Sequence, residues 1–332
     1  FEDTIKLTDD PDYNQTAFEG MLEIKGDSDH TKLIEMLDAL NDDSQKIDDV
    51  LATYFDTENL VYWMAFQILT GNCDTQNRNC YLYSPLNSKV WYILDWDNDG
   101  MLRKLELSLT GFSDYASWER GVSNYWGNVL FNRALRSKSF HSELDRAVKD
   151  LRSYLTEERL GKMIEHYREV TEPLVFAAPD LENLPVTKDE YEQIAAAIPS
   201  EIEENYQSFR ESYKKPMPFY IGIPQIDNGK LRVNWDASYD FKARDIRYTV
   251  ELARDHAITD VIFKAEDVLL PEVTCDAPDA GQYFVRVRAT NSDGYTQDAF
   301  DYYVTDDGKQ YGMKCFYVQD GGKVVEDTYE EG

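Results

Sequence analysis

The chain has 332 residues, 42% hydrophobic and 13% aromatic, enough for cores in more than one domain, which argues against disorder over the whole chain. Its 63 acidic residues against 34 basic ones give a net charge of −29; that excludes nucleic-acid binding through a basic face and attachment to anionic lipid through a polybasic patch. No run approaches the ~20 apolar residues of a membrane span, and the acidity suits the solvated surface of an extracellular or bacterial cell-surface protein.

Residues 1–28 are acidic and irregular, with a short strand expected at 21–25. Helices follow over 30–41, where Leu33, Ile34, Leu37 and Leu40 recur at helical spacing, and over 46–55. A third starts at the N-cap Asp56, presents Leu60, Trp63, Met64 and Ile68 on one face, and stops near Gly71-Asn72. Its apolar stretch, 60–69, contains Gln67. Two strands are expected at 80–83 and 89–94, with a turn over 85–88 between them. Residues 107–122 read as an aromatic loop. Helices then dominate to Lys215: one behind the cap Thr156, one opening with a capping box from Thr187 to Glu190 and running to Ile198, and a last one carrying Ile202, Tyr206, Phe209 and Tyr213.

At Lys214-Lys215-Pro216-Met217-Pro218 the hydrophobic period changes from 3.6 to 2, which marks a domain boundary. Leu231/Val233/Trp235, Tyr248/Val250/Leu252 and Tyr283/Val285/Val287 alternate as strands of a small sandwich do. The segment from Asp306 surrounds one short run, 313–318, and reads as an extra hairpin or a linker. Four cysteines, Cys73, Cys80, Cys275 and Cys315, allow three full pairings, and their spacings fit no zinc site. The four histidines are scattered and fit none either. A nucleophilic role for Cys73 or Cys80 lacks an activating histidine nearby in sequence.

The chemistry-bearing residues cluster at 71–106. Asp74 and Asn79 stand in the D-x-x-x-x-N spacing of a kinase catalytic loop, and Asp97 follows after one strand pair, where a kinase has its metal-binding Asp. Phosphoryl transfer is mostly positioning and charge stabilisation: one carboxylate orients the attacking hydroxyl and accepts its proton, while another carboxylate and an amide oxygen hold Mg²⁺ or Mn²⁺ against the phosphates. The same stretch has a second reading. Asp95, Asp97, Asp99, Gly100 and Glu106 fit the D-x-D-x-D-G-x5-E pattern of an EF-hand calcium loop, with Leu102 at its apolar position. Against a true EF-hand, the residues before Asp95 read as a strand, where that motif needs a helix.

The ordered run Asp56, Leu60, Gly71-Asn72, Asp74, Asn79, Tyr81-Leu82-Tyr83, Trp91, Ile93, Trp96-Asp97 and Asp99 resembles the core of the CotH kinase family (spore coat protein H-like), and the resemblance extends over about 1–215. It implies an atypical kinase-like fold, ATP as phosphate donor with Mg²⁺ or Mn²⁺, and Ser/Thr of secreted or coat proteins as acceptors. It implies Asp74 as the catalytic-loop acid, Asn79 and Asp97 on the metal and nucleotide, and Asp99 in support. The family's Pro before Trp-Asp is Asp95 here. No glycine-rich loop is legible; Lys25 is the nearest candidate for a phosphate-binding lysine, so the ATP-covering lobe is expected upstream. Residues 229–235, with Trp235, and 281–289, with Tyr283 placed for a tyrosine corner, resemble a fibronectin type III module.

The expected fold class is therefore α+β: a mainly helical, atypical-kinase C-lobe-like domain over 1–215, an all-β immunoglobulin-like (fibronectin type III) sandwich over 216–305, and a tail or hairpin over 306–332. The expected function is a metal-dependent protein kinase region acting on a protein substrate. The alternative is a non-catalytic surface or interaction module with a degenerate kinase lobe, stabilised by Ca²⁺ at Asp95, Asp97, Asp99 and Glu106.

Overall fold

The computed structural model describes residues 5–22, 29–76, 78–111, 116–306 and 308–327. They form two compact units, 1–65 with 77–97 and 128–149, and 66–76 with 98–127 and 150–332.

In the first unit, α1 (Gln15–Met21) is capped by the Asn14 side chain, which accepts from the Ala17 amide. Met21 thus ends a helix instead of opening a strand, and the rest of the expected strand, Lys25 included, falls largely outside the described residues. Helices α2 (Thr31–Asn41) and α3 (Ile47–Tyr54) bury the faces their spacing predicts, Leu33, Ile34, Met36 and Leu40 on one, Val50 and Leu51 on the other. Arg133 on α6 (Val129–Arg136) donates to the Ala39, Leu40 and Gln45 carbonyls, satisfying backbone acceptors at and beyond the end of α2. Helix α4 (Thr57–Thr70) opens on Asp56, whose carboxylate accepts the Asn59 amide at 2.9 Å.

Asn59 then does for the sheet what a neighbouring strand would. Its amide donates to the Ile93 carbonyl at 3.1 Å and its oxygen accepts the Ile93 N–H at 2.7 Å. This ties α4 to the hairpin of β1 (Cys80–Tyr83) and β2 (Tyr92–Asp95), paired antiparallel with Cys80 opposite Asp95. Strand β2 starts three residues later than the sequence predicts. Side chains claim the backbone before it: Ser84 donates to the Val90 carbonyl, the Val90 amide donates to the Ser88 hydroxyl, and Lys32 donates to the Pro85 and Ser88 carbonyls.

The second unit holds a helical layer and the β-rich C-terminal part. Helix α5 (Lys104–Leu109) occupies the start of the stretch expected as loop, and a 3-10 turn, Gly121–Tyr125, its end. Helix α7 (Lys138–Tyr154), most of which belongs to the first unit, leads into α8 (Glu157–Val175), capped by Thr156. Helix α9 (Lys188–Ser212) opens with the capping box of Thr187 and Glu190 and runs unbroken through Pro199, where the sequence suggests two helices. A proline inside a helix costs roughly 3 kcal/mol; the buried residues Ala195, Ile202, Asn205 and Phe209 on both sides of it hold the helix together.

Beyond α9, β3 (Gln225–Asp227), β4 (Lys230–Asn234) and β7 (Glu272–Asp276) make a three-stranded sheet. Strands β5 (Ile246–Ala253), β6 (Val261–Val268), β8 (Gly281–Asn291), β12 (Met313–Val318) and β13 (Val324–Glu326) form a second in the order β13-β12-β8-β5-β6, with β9 (Thr296–Asp298) added on β8. A separate hairpin pairs β10 (Tyr302–Thr305) with β11 (Gly308–Tyr311). The run 313–318 is therefore no appended hairpin: β12 lies beside β8, and Phe316 is fully buried. Leu231, Val233 and Trp235 share one core with Tyr248, Val250 and Val285. The Tyr283 hydroxyl donates to the Asp279 carbonyl at 3.0 Å, four residues upstream.

Candidate active site

Asp74 lies in the loop that leaves α4, and buried side chains fix that loop. Gly71 turns the chain at φ +68°, and a Cβ there would stand 2.6 Å from the Asn205 amide nitrogen. Only glycine meets both demands. Asn205, buried on α9, donates to the Leu69 carbonyl at 3.0 Å and so satisfies one of the acceptors left open at the end of α4. Gln67 and Asn72, 0% and 2% exposed, answer each other as buried amides must. The Asn72 amide donates to Gln67 Oε1 at 3.0 Å, and both side chains donate to Asn98 Oδ1. Asn72 Oδ1 accepts the Asp74 N–H at 3.2 Å.

Asn98 begins the 3-10 turn Asn98–Gly100, which carries Asp99. A Cβ added to Gly100 would lie 2.7 Å from Asn72 Oδ1 and 3.6 Å from Asp74 Cβ. The loop of Asp74 and the turn of Asp99 therefore meet at one buried asparagine. The Leu102 amide adds a bond to the Thr70 carbonyl at 2.8 Å.

The 121–125 turn closes the other side of the loop. Tyr125, fully buried, shares a 3.0 Å hydrogen bond with the Thr75 hydroxyl; Asn124 donates to the Cys73 carbonyl; Arg120 donates to the Gly71 carbonyl and to the Cys73 sulfur. Burial pushes the Cys73 thiol up to about 11 against the pull of Arg120, so it stays protonated near neutrality and is no nucleophile. All four cysteines are free. Burial also raises the Glu119 and Glu201 carboxyls, against backbone amides from Ala116 and Lys104 and the charge of Arg120. A cavity of about 10 Å³ lined by Gln67, Arg120, Asn124 and Asn205 has room for about one water.

In the first unit, Asn79 and Asp97 adopt left-handed backbone at φ +55° and +53°, a conformation Asn and Asp tolerate better than most side chains. Asn79 is half-buried and Asp97 exposed. Asp95 closes β2 and is exposed; Trp96, also exposed, packs edge-on against Tyr81 at 4.9 Å. The calcium-loop alternative meets two differences. A strand precedes Asp95, and both oxygens of Glu106 accept from the Arg103 guanidinium at 2.9 Å.

Among the described residues no three or more His, Cys, Asp or Glu are grouped to hold a metal ion. The Asp97 and Asp99 carboxylates make no hydrogen bond or ion pair with another described residue. Exposed carboxylates are hard oxygen donors of the kind divalent cations such as Mg²⁺, Mn²⁺ and Ca²⁺ take.

Sequence reasoning singled out Asp74, Asn79, Asp97 and Asp99 but missed Gln67, Arg120 and Asn205, which hold the loop of Asp74. Gln67 left one signal: an amide on an otherwise apolar helix needs a buried partner. Arg120 and Asn205 left none.

No curated protein matches this chain. Among solved structures, a chain of the twitchin kinase region from C. elegans (Fn31-NL-kin-CRD-Ig26) is 20% identical over 29% of this chain and 20% of that chain, with a TM-score of 0.22; so slight a likeness carries no argument. The model of the family described as CotH kinase protein matches residues 2–209. That match takes in the Asp74 loop, the hairpin, the Asp97–Asp99 turn and most of α9, well over half of the chain, which therefore belongs to the CotH kinase family.

Proposed function

We propose that this chain is the catalytic part of a secreted or surface protein kinase that transfers the γ-phosphate of ATP to Ser/Thr hydroxyls of extracellular or coat proteins. The observation that carries the reading is the junction at Asn72: the loop of Asp74 and the turn of Asp99 are pinned to one buried amide network, inside the region matched by the family model. Asp74 orients the acceptor hydroxyl and takes its proton. Asn79 and Asp97 supply oxygens to the cation, and Asp99 serves in support. Mg²⁺ or Mn²⁺, when bound, offsets the charge on the phosphates. Residues 1–215 form the kinase-like lobe, and the strands from Pro216 onward a fibronectin type III-like sandwich. Sheets ordered β3-β4-β7 and β12-β8-β5-β6, the buried Trp235 and the Tyr283 bond to Asp279 support that assignment. The net charge of −29 favours an exposed, solvated setting, and among the described residues no helix is long and apolar enough to cross a membrane.

Calorimetric titration with ATP, with and without Mn²⁺, tests the reading. The native chain binds ATP in a metal-dependent way, and Asp97→Ala loses that binding by roughly tenfold or more while its melting temperature stays put. Equal binding by Asp97→Ala sinks the assignment. Uptake of Ca²⁺ with no nucleotide response would favour a non-catalytic module.

A further inference from the structure

We infer that the β-sandwich is a brace for the Asp74 loop and not a spacer hung on the end of the kinase-like lobe; the inference rests on the role proposed for Asp74. All the residues concerned belong to one compact unit. The brace has two joints, with the 116–127 segment between them.

The first joint fastens the sandwich to that segment. Trp118 meets the Phe300 ring edge-on at 5.0 Å and the Tyr311 ring at 6.1 Å. The Ser117 hydroxyl donates to Asp298 at 3.1 Å and accepts from the buried Gln297 amide at 2.7 Å. Trp126 stacks on Tyr239 at 5.2 Å and meets Phe241 edge-on. Gly127 lies so close that a Cβ would stand 3.2 Å from the Tyr220 hydroxyl. Such ring pairs are worth more than their buried area alone.

The second joint fastens the segment to the loop. Arg120, Asn124 and Tyr125 bond to Gly71, Cys73 and Thr75, as described above. Between the joints the turn cannot slip: the Val122 amide donates to the Ser212 hydroxyl at 3.2 Å, and a Cβ on Gly121 would collide with that same hydroxyl at 2.5 Å. A clamp steadies the far end of α9. Buried Asp240 pairs with Arg244, and Arg244 and Asn291 both donate to the Lys214 carbonyl. Flexible linkers carry few contacts across a boundary; this boundary carries aromatic contacts and two hydrogen bonds, from the Arg244 guanidinium and the Asn291 amide, to one carbonyl. Its consequence is a positioning role. Ordering of residues 71–76 depends on side chains more than 200 positions away in sequence.

Hydrogen exchange on the full chain tests this, using Trp118→Ala, the milder Ser117→Ala, the restoring Trp118→Phe, and Arg232→Ala as a control on the exposed side of β4. Exchange at 71–76 rises by about fivefold or more in Trp118→Ala and by a smaller factor in Ser117→Ala, returns toward native in Trp118→Phe, and is unchanged in Arg232→Ala. Where transfer is measurable, kcat per folded molecule, with the folded fraction taken from the unfolding curve, falls while KM for ATP holds within about twofold. Native exchange at 71–76 in Ser117→Ala and Trp118→Ala, with faster exchange confined to 116–127, overturns the brace; Ser117→Ala decides alone if Trp118→Ala does not fold. Coupled exchange in a chain that never binds ATP with metal would instead overturn the kinase reading and leave the brace standing.

Discussion

The two acidic segments of this chain are built on opposite plans. Residues 71–75 are held: Asn72 and Thr75 are buried, Asn72 bonds to Gln67 on α4, Asn124 and Tyr125 of the 121–125 turn bond to Cys73 and Thr75, and Asn205 on α9 caps the end of α4 just before them. Residues 95–99 are open: Asp95, Trp96, Asp97 and Asp99 are exposed, and Asp97 and Asp99 have no partner among the described residues. A group that must orient a hydroxyl gains from being held in place before the substrate arrives. Groups that must trade water for metal and phosphate gain from being unengaged. On the roles proposed for these residues, the difference teaches that stability and ligand chemistry are separated by a few positions in the chain.

Breaking the held side has the largest effect. Asn72→Ala strips partners from Gln67, Asn98 and the Asp74 amide together, and should cost ~3 kcal/mol in urea unfolding, since buried groups are left unsatisfied. Next comes Gly71→Ala. It combines a left-handed backbone with a contact to Asn205 of 2.6 Å, and should cost about 2 kcal/mol by the same measurement. The smallest effect sharpens the comparison by pH. Burial raises the Glu201 carboxyl above its ordinary 4.5, so its charged form is disfavoured in the fold. The stability it provides is full below pH 4.5 and falls as pH rises through the raised value. Glu201→Gln, which keeps an oxygen for the Lys104 amide, should be the more stable protein at pH 7 and lose that advantage below pH 4.5. Identical differences at the two pH values would show that Glu201 is not desolvated.

Local chemistry was legible in the sequence wherever a short-range rule governs it. The Asp56 cap, the glycine stop after α4, the strand at Cys80–Tyr83 and the Thr187 capping box are all read from residues within a few positions. So was the pattern that places Trp235 in a core. What escaped depends on partners distant in sequence. Pro199 argues locally for a break, and only the burial of Ile202, Asn205 and Phe209 overrules it. The run 313–318 looks like an appendage until it is paired with β8. Of the candidate site, the acidic residues could be named because their spacing is short. Asn205, which helps hold the Asp74 loop, could not, since it reaches a carbonyl 136 positions earlier.

Helix α9 touches four different things along one face. Glu201 accepts the Lys104 amide, Asn205 caps α4, Ser212 holds the 121–125 turn, and just past its end the Lys214 carbonyl receives the sandwich clamp. One residue inserted between the first and last of these would turn everything downstream by about 100°, aiming each later contact at the wrong neighbour. That stretch is closed to insertion and deletion, whatever substitutions it accepts. The spacing of α9 is a ruler, and relatives that keep these four contacts must keep its count.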